Sequence, residues 1–482
     1  MMRTVSKVAI LFFTVLLALA SVSCDLFSGF NKKPIPIDDF DTLEENFFYA
    51  QNMETRRYYK VEAEMLFEGE KCVIWAEISA RISQSEAEEI ANEYDNAIRP
   101  CVVDAFSKKD FTDSSEAYHF EDMLDYANWL AYRDDKKLTI LLLDIKDGFT
   151  NPRTDSYVAG YFFSGNFQPA GKIVGTTHYS NGRDMIYMDT HPGLDMERRQ
   201  TYATFAHELQ HLINYVTSVQ MRRQSLMDIW IDEGLSSQAE YLYLGHNPED
   251  KCEWFSKDQE GTIAKGNNFF VWGNHEEKRL SILDDYATVY LFFRWLYLQA
   301  NDDLKSHIFY DIITSSDADY KAVANIARKI NPEWSGWEPL LRSWLAANYF
   351  PKNRYGYTGD YDLQETIKVR PIAGSSVSLY PGEGVYSVID NDFNSNQTTI
   401  NIRYAGLSDG MDAINTSPPY RGDILLTFNA NTSNAPATRP ETGSLTGVPP
   451  PSSRMAGESS QTKKITGPFV IDAADLLGRD KW

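Results

Sequence analysis

The sequence predicts an α+β chain with a mixed-sheet subdomain, a helical subdomain and a small C-terminal β module. Three observations carry this. Alternating or continuous apolar runs recur up to about residue 190, helical periods dominate from 197 to 348, and short strand patterns return beyond Pro351. At 482 residues the chain is also too long for one hydrophobic core.

The first residues read as an export signal. Arg3 and Lys7 precede the apolar run Val8–Ala20, and the small residues Ser21, Val22 and Ser23 lead into Cys24. The run is short of the roughly 20 residues that span a bilayer. Small residues directly before a cysteine resemble a bacterial lipoprotein cleavage box, with Ser21 where a bulky aliphatic residue is usual. That resemblance implies a lipid on Cys24 and a cell-envelope location, with the membrane reached only through this anchor. The alternative is cleavage after Ala20 or Ser23 and plain secretion.

Each element then follows from local pattern. Residues 1–23 are the signal, and 24–45, with Pro34 and Pro36, a tether. Within the α+β subdomain, 46–195, the alternation of Lys71–Ile82 predicts a strand. Ser83 followed by Glu86 predicts a capped helix reaching about Phe106. Lys137–Asp147 is apolar enough for a central strand, and Tyr157–Phe163 and Asp184–Thr190 read as further strands. The helical subdomain, 196–350, carries helices at 197–218, 228–244, 281–299, 303–314, 318–329 and 336–348. The β module, 351–429, has strands at Val377–Tyr380, Gly384–Asp390, Thr398–Tyr404 and Asp423–Asn429. Ser, Thr, Pro, Gly and Asn dominate from Ala430 to Lys464, so 430–482 is expected to be a mostly disordered tail without a packed core.

Charge excludes one class of partner. The formal net charge of −22 leaves no basic footprint for nucleic acid. Besides Cys24 only Cys72, Cys101 and Cys252 remain, an odd set that is no disulfide scaffold. Cys72 and Cys101 form the one pair considered, against three buried thiols acting as small apolar side chains.

The sharpest motif is His207-Glu208-Leu209-Gln210-His211. Two histidines four apart on a helix project from one face. No Gly or Pro interrupts Arg198–Val219, and Phe205, Leu209, Leu212 and Val216 form a packing stripe, leaving the histidine face to a cleft. Two imidazoles supply two of the three protein ligands of a catalytic zinc. The helix opening Trp230-Ile231-Asp232-Glu233-Gly234 offers the third, with Glu233 the candidate. Glu240 shares the Glu233 face and is a candidate acceptor for the distal N–H of a ligand histidine. These residues predict one Zn2+ per chain.

HELQHLINY followed by WIDEGLSSQAEY resembles the gluzincin metallopeptidases and, within them, the hyicolysin family. IWAEISARISQSEAEEIANEYD, LTILLLDI, YVAGYFF, SNGRDMIYMD and DYATVYLFFRWL extend the resemblance over about residues 70–350. The interval to Glu233 is longer than in many aminopeptidase-type gluzincins. The resemblance implies a zincin-like fold and a zinc endopeptidase acting on peptides or proteins, with His207, His211 and Glu233 as ligands and Glu208 as general base. The strand Asp184–Thr190 is expected to be a cleft edge to which a peptide adds by backbone pairing.

An oxyanion donor is sought among Tyr286, Tyr290, His246 and His275. Tyr286 leads, because a later-helix tyrosine fills that role in related aminopeptidases. His178 and His191 read as solvated loop histidines. Two other readings compete. One is a surface lipoprotein adhesin or binding protein on a catalytically lapsed peptidase scaffold, and the other an aminopeptidase, for which no GAMEN-like signature is present. Substrate preference and oligomeric state are not legible in the sequence.

Overall fold

The computed structural model describes residues 45–446, apart from 110, 113–118, 132–135, 152–156, 196–197, 259–260, 262, 268–269, 273–281, 390–391, 396–398, 411–413 and 434–439. The signal, Cys24, nearly all of the tether and His275 therefore lie outside the described residues. The chain is mixed α and β and forms two compact units. Among the described residues, one unit holds those up to 226 together with Leu235–His246. The other holds Met227–Gly234 and those from Asn247 onward.

The first unit is built on a six-stranded sheet. Its strands are β1 (Phe47–Asn52), β2 (Arg57–Glu68), β3 (Cys72–Glu77), β4 (Leu138–Leu143), β5 (Gly160–Phe162) and β6 (Met185–Asp189). Their spatial order is β1-β2-β3-β4-β6-β5. β3, β4 and β6 run parallel, whereas β1, β2 and β5 join antiparallel. All six residues of β4 are buried, as an apolar run covered on both faces requires. The β1 and β2 strands were not expected from the sequence.

β6 does not form the expected edge. It pairs with β4 on one side and with β5 on the other, with Met188 opposite Gly160 and Ile186 opposite Phe162. The terminal strand is β5, drawn from the neighbouring Tyr157–Phe163 run. At the opposite end of the sheet the backbone of Tyr49 on β1 is engaged by a side chain. Its amide donates to Asn181 Oδ1 at 2.8 Å and its carbonyl accepts from Asn181 Nδ2 at 3.0 Å.

The helix opened by Ser83 starts with a reciprocal cap. The Glu86 amide donates to Ser83 Oγ at 3.2 Å, and the Ser83 amide donates to Glu86 Oε2 at 3.0 Å. It is not one helix to Phe106. α1 (Gln84–Glu93) gives way to a wider turn at Tyr94–Ile98, then α2 (Arg99–Phe106) begins. Pro100 accounts for the break, because it lacks an amide proton and its ring crowds the carbonyl four residues back. After α3 (Met123–Leu130), α4 (Arg198–Tyr215) packs on β5, β6 and α2 and ends in a wider turn, Val216–Met221.

The second unit contains the start of α5 (Ile229–Leu244), then α6 (Glu249–Lys257), α7 (Ile282–Gln299), α8 (Asp302–Lys305), α9 (Ile308–Ile313), α10 (Tyr320–Ile330), α11 (Trp337–Tyr349) and α12 (Tyr361–Thr366). Trp230 is fully buried among the rings of Phe270, Phe292, Phe293 and Trp337. Phe293 stacks on Trp230 and the other three rings meet it edge-on, and burying large aromatic rings is a dominant packing term, so this cluster anchors the start of α5.

The β module belongs to the same unit. β8 (Gly384–Val388), β9 (Ile402–Leu407) and β10 (Ile424–Asn429) form a sheet in the order β8-β10-β9, and β7 (Ser376–Leu379) pairs with β11 (Glu441–Ser444). Their core is Leu379, Val385, Ile402, Tyr404, Leu425 and Leu445. β11 and Leu445 correct the expectation that nothing beyond 430 packs: composition hid a strand whose partner lies some 60 positions earlier. Tyr386 Oη donates to the Leu345 carbonyl at 2.7 Å, tying β8 to α11.

Cys72, Cys101 and Cys252 are all free thiols, so the Cys72–Cys101 pair is not formed. The Cys101 thiol donates to the Ile98 carbonyl, and burial pushes its pKa up to about 12. Among the described residues no helix is long and apolar enough to cross a membrane.

Candidate metal centre

The HExxH segment lies in the middle of α4, and every residue from Thr201 to Asn214 is buried. The histidine face is therefore covered rather than open to a broad cleft. Part of the cover is the rear of α5. Glu233, Ser236 and Glu240 are spaced three and four apart on that helix, so they share one face. All three are at most 1% exposed, while Asp232, one position from Glu233, points partly to solvent.

Among the described residues, one cluster of His, Cys, Asp or Glu is placed to hold a metal ion. It comprises His207, His211 and Glu233, each buried, with one potential ligand atom from each lying within 4.8 Å of the others. The imidazole centroids are 4.7 Å apart at 71°. Asp232 and Glu240 are not in the cluster. Gly234 has a packing reason to follow Glu233. A Cβ there would lie 2.2 Å from Phe293 Cδ2, so only glycine lets the α7 ring lie against α5.

Both histidines are held from behind. His207 Nδ1 lies 2.6 Å from Glu240 Oε1, with both residues buried. A buried carboxylate accepts, so the ring proton sits on Nδ1 and the ligating lone pair on Nε2. His211 Nδ1 lies 3.0 Å from Ser236 Oγ, and Ser236 Oγ also donates to Gln210 Oε1. Sequence reasoning missed Ser236 and Gln210, whose hydroxyl and amide side chains carry no ligand signature. Glu208 is fully buried beside His207 on α4.

Tyr286 is on α7, 5% exposed, with its ring edge-on to Trp272 at 5.0 Å. Tyr290 donates its hydroxyl to Asn247 Oδ1 at 2.6 Å, and His246 is exposed. His178 is half-buried against Tyr58 and Phe163, and that burial lowers its pKa, so it is not the solvated histidine expected. His191 is exposed and sits 3.1 Å from Asp195.

Two imidazoles and one carboxylate, all buried and with ligand atoms within reach of one another, fit a divalent transition metal, which with three protein ligands keeps a position for water or substrate. The comparison with known proteins is consistent with this donor set. The chain is 28% identical over 295 residues to the neutral metalloprotease ShpI of Staphylococcus hyicus, covering 60% of this chain and 59% of that protein. It thus matches about three-fifths of that relative's length. No family model matches the chain.

Proposed function

We propose that this chain is an exported zinc-dependent endopeptidase of zincin-like fold. The observation that carries the reading is the buried His207–His211–Glu233 cluster on two helices, in a chain similar to a metalloprotease. Nε2 of His207, Nε2 of His211 and the Glu233 carboxylate would hold one Zn2+. When bound, zinc polarises a scissile carbonyl and lowers the pKa of a coordinated water towards about 7.

This chain's residues supply the rest. Glu208 would act as the proton acceptor for the attacking water and return the proton to the leaving amine, work typically worth roughly 10²–10⁴-fold in rate. Glu240 keeps His207 in the ligating tautomer. Tyr286 is the proposed oxyanion donor. An extended substrate would add to a strand edge by backbone pairing. Backbone pairing of that kind gives affinity with little sequence selectivity.

We also propose that Cys24 carries the lipid anchor. Detergent phase partitioning of wild type against Cys24→Ser tests the anchor, and equal recovery in the aqueous phase would point to plain secretion. For the activity, purified chain should digest an unfolded protein substrate, lose that activity to a chelator and regain it with zinc. Zinc binding without any digestion would favour the adhesin reading instead.

A further inference from the structure

We propose that Ser236 and Gln210 form a hydrogen-bond relay that fixes His211 in the tautomer and orientation a metal needs. This rests on the metal-centre reading above. His207 is held by a carboxylate and His211 by a neutral hydroxyl, so the two rings are fixed by different chemistry.

The direction of the relay follows from counting protons. Gln210 Oε1 can only accept. Ser236 has one hydroxyl proton, and its Oγ donates to Gln210 Oε1. The Oγ lone pairs are then what face His211 Nδ1 at 3.0 Å, so Nδ1 carries the ring proton. Nε2 is left as the ligating nitrogen, and a metal requires that atom deprotonated. Ser236 and Gln210 are 0% exposed and His211 2%, so solvent does not replace a lost partner.

Gln210 immediately precedes His211 on α4, about 100° away around the axis. The two side chains meet through a third group, the serine on α5. Without the Gln210 acceptor the hydroxyl rotates and donates to Nδ1, which moves the ring proton to Nε2 and opposes the metal. Gln210 is therefore a positioning residue two hydrogen bonds removed from His211 Nδ1, and Ser236 is the switch point between them.

The test is a double-mutant cycle read by zinc affinity. The full chain, as Ser236→Ala, Gln210→Leu and the double variant, competes for zinc against a chromophoric chelator. Cobalt substitution reports ligand geometry by visible absorption, and apo-protein melting checks the fold. Ser237→Ala, the buried neighbour on α5, is the control.

Each single change should weaken zinc binding about 10-fold, at the low end of the range for partners of a ligand histidine. The double variant should be no weaker than the weaker single one, because both break the same chain. The cobalt bands should move in all three, while Ser237→Ala stays at wild type. Unchanged affinity in both single variants would overturn the relay while the metal centre stands. So would losses that multiply in the double variant, or an equal loss in Ser237→Ala. If wild type itself held no zinc, the metal-centre reading would fall and the relay with it. Should Ser236→Ala not fold, Gln210→Leu alone still decides.

Discussion

Nδ1 of His207 stands 2.6 Å from Oε1 of Glu240, two turns along α5 from Glu233. One helix thus presents two buried carboxylates to the histidine pair, one within ligand reach and one behind a ring. Their separation by seven residues puts about 10 Å of helix between them, so they cannot exchange roles. Asp232, rotated about 100° from Glu233, stays partly in solvent.

Three alanine variants should therefore rank themselves. Glu233→Ala removes the proposed third ligand and should abolish zinc binding. Glu240→Ala should weaken it roughly 10–100-fold, because His207 loses the group that fixes its tautomer. Asp232→Ala should leave it within about twofold of wild type, as expected for a surface acid. Competition against a chelator reads all three. A collapse confined to the Asp232 or Glu240 variant would displace Glu233 as the third ligand.

Glu208 is fully buried on α4, the helix of both histidines, and lies outside the candidate metal cluster. Glu208→Gln keeps the side chain's shape but cannot take a proton. Zinc content should stay at one equivalent while turnover of a peptide substrate falls by at least ~10²-fold. Near-normal turnover would assign the base elsewhere.

Asp189, at the end of β6, gives a pH prediction separate from catalysis. Burial raises its pKa to about 7, against the hydrogen bonds from the Gly193 and Ile145 amides and with help from nearby Asp147 and Asp144. Between the ordinary value of 3.8 and about 7, the folded chain holds a proton that the unfolded chain has released. The contribution of Asp189 to stability is thus greatest below about pH 4, falls as pH rises to about 7, and is flat above it. The whole change is on the order of 4 kcal/mol. Denaturant unfolding of wild type and Asp189→Asn across that range checks it. The difference between the two should move in favour of the variant as pH rises, and a constant difference would show that Asp189 does not titrate in this window.

Much of the fold was legible because local pattern and burial agree. The apolar run at 137–147 became β4, buried on both faces, and Ser83 with Glu86 caps α1 as the sequence predicts. What escaped the sequence depends on distant partners. β2 carries a mixed burial pattern, and β11 is four residues of low β-propensity held by β7. The edge role given to 184–190 failed for the same reason. Nothing within that segment says whether the 157–163 run pairs outside it. At the site, helical spacing alone places Glu233 and Glu240 on one face. Ser236 and Gln210 were passed over because hydroxyl and amide side chains carry no ligand signature, and only proximity to His211 gives them meaning.

The most direct measurement is the zinc content of the purified chain and of its two histidine variants after dialysis against metal-free buffer. Wild type should retain one zinc per chain, and His207→Ala and His211→Ala should each retain essentially none while melting as folded proteins. A full equivalent of zinc in either variant, or none in wild type, would mean that His207, His211 and Glu233 do not form a metal centre.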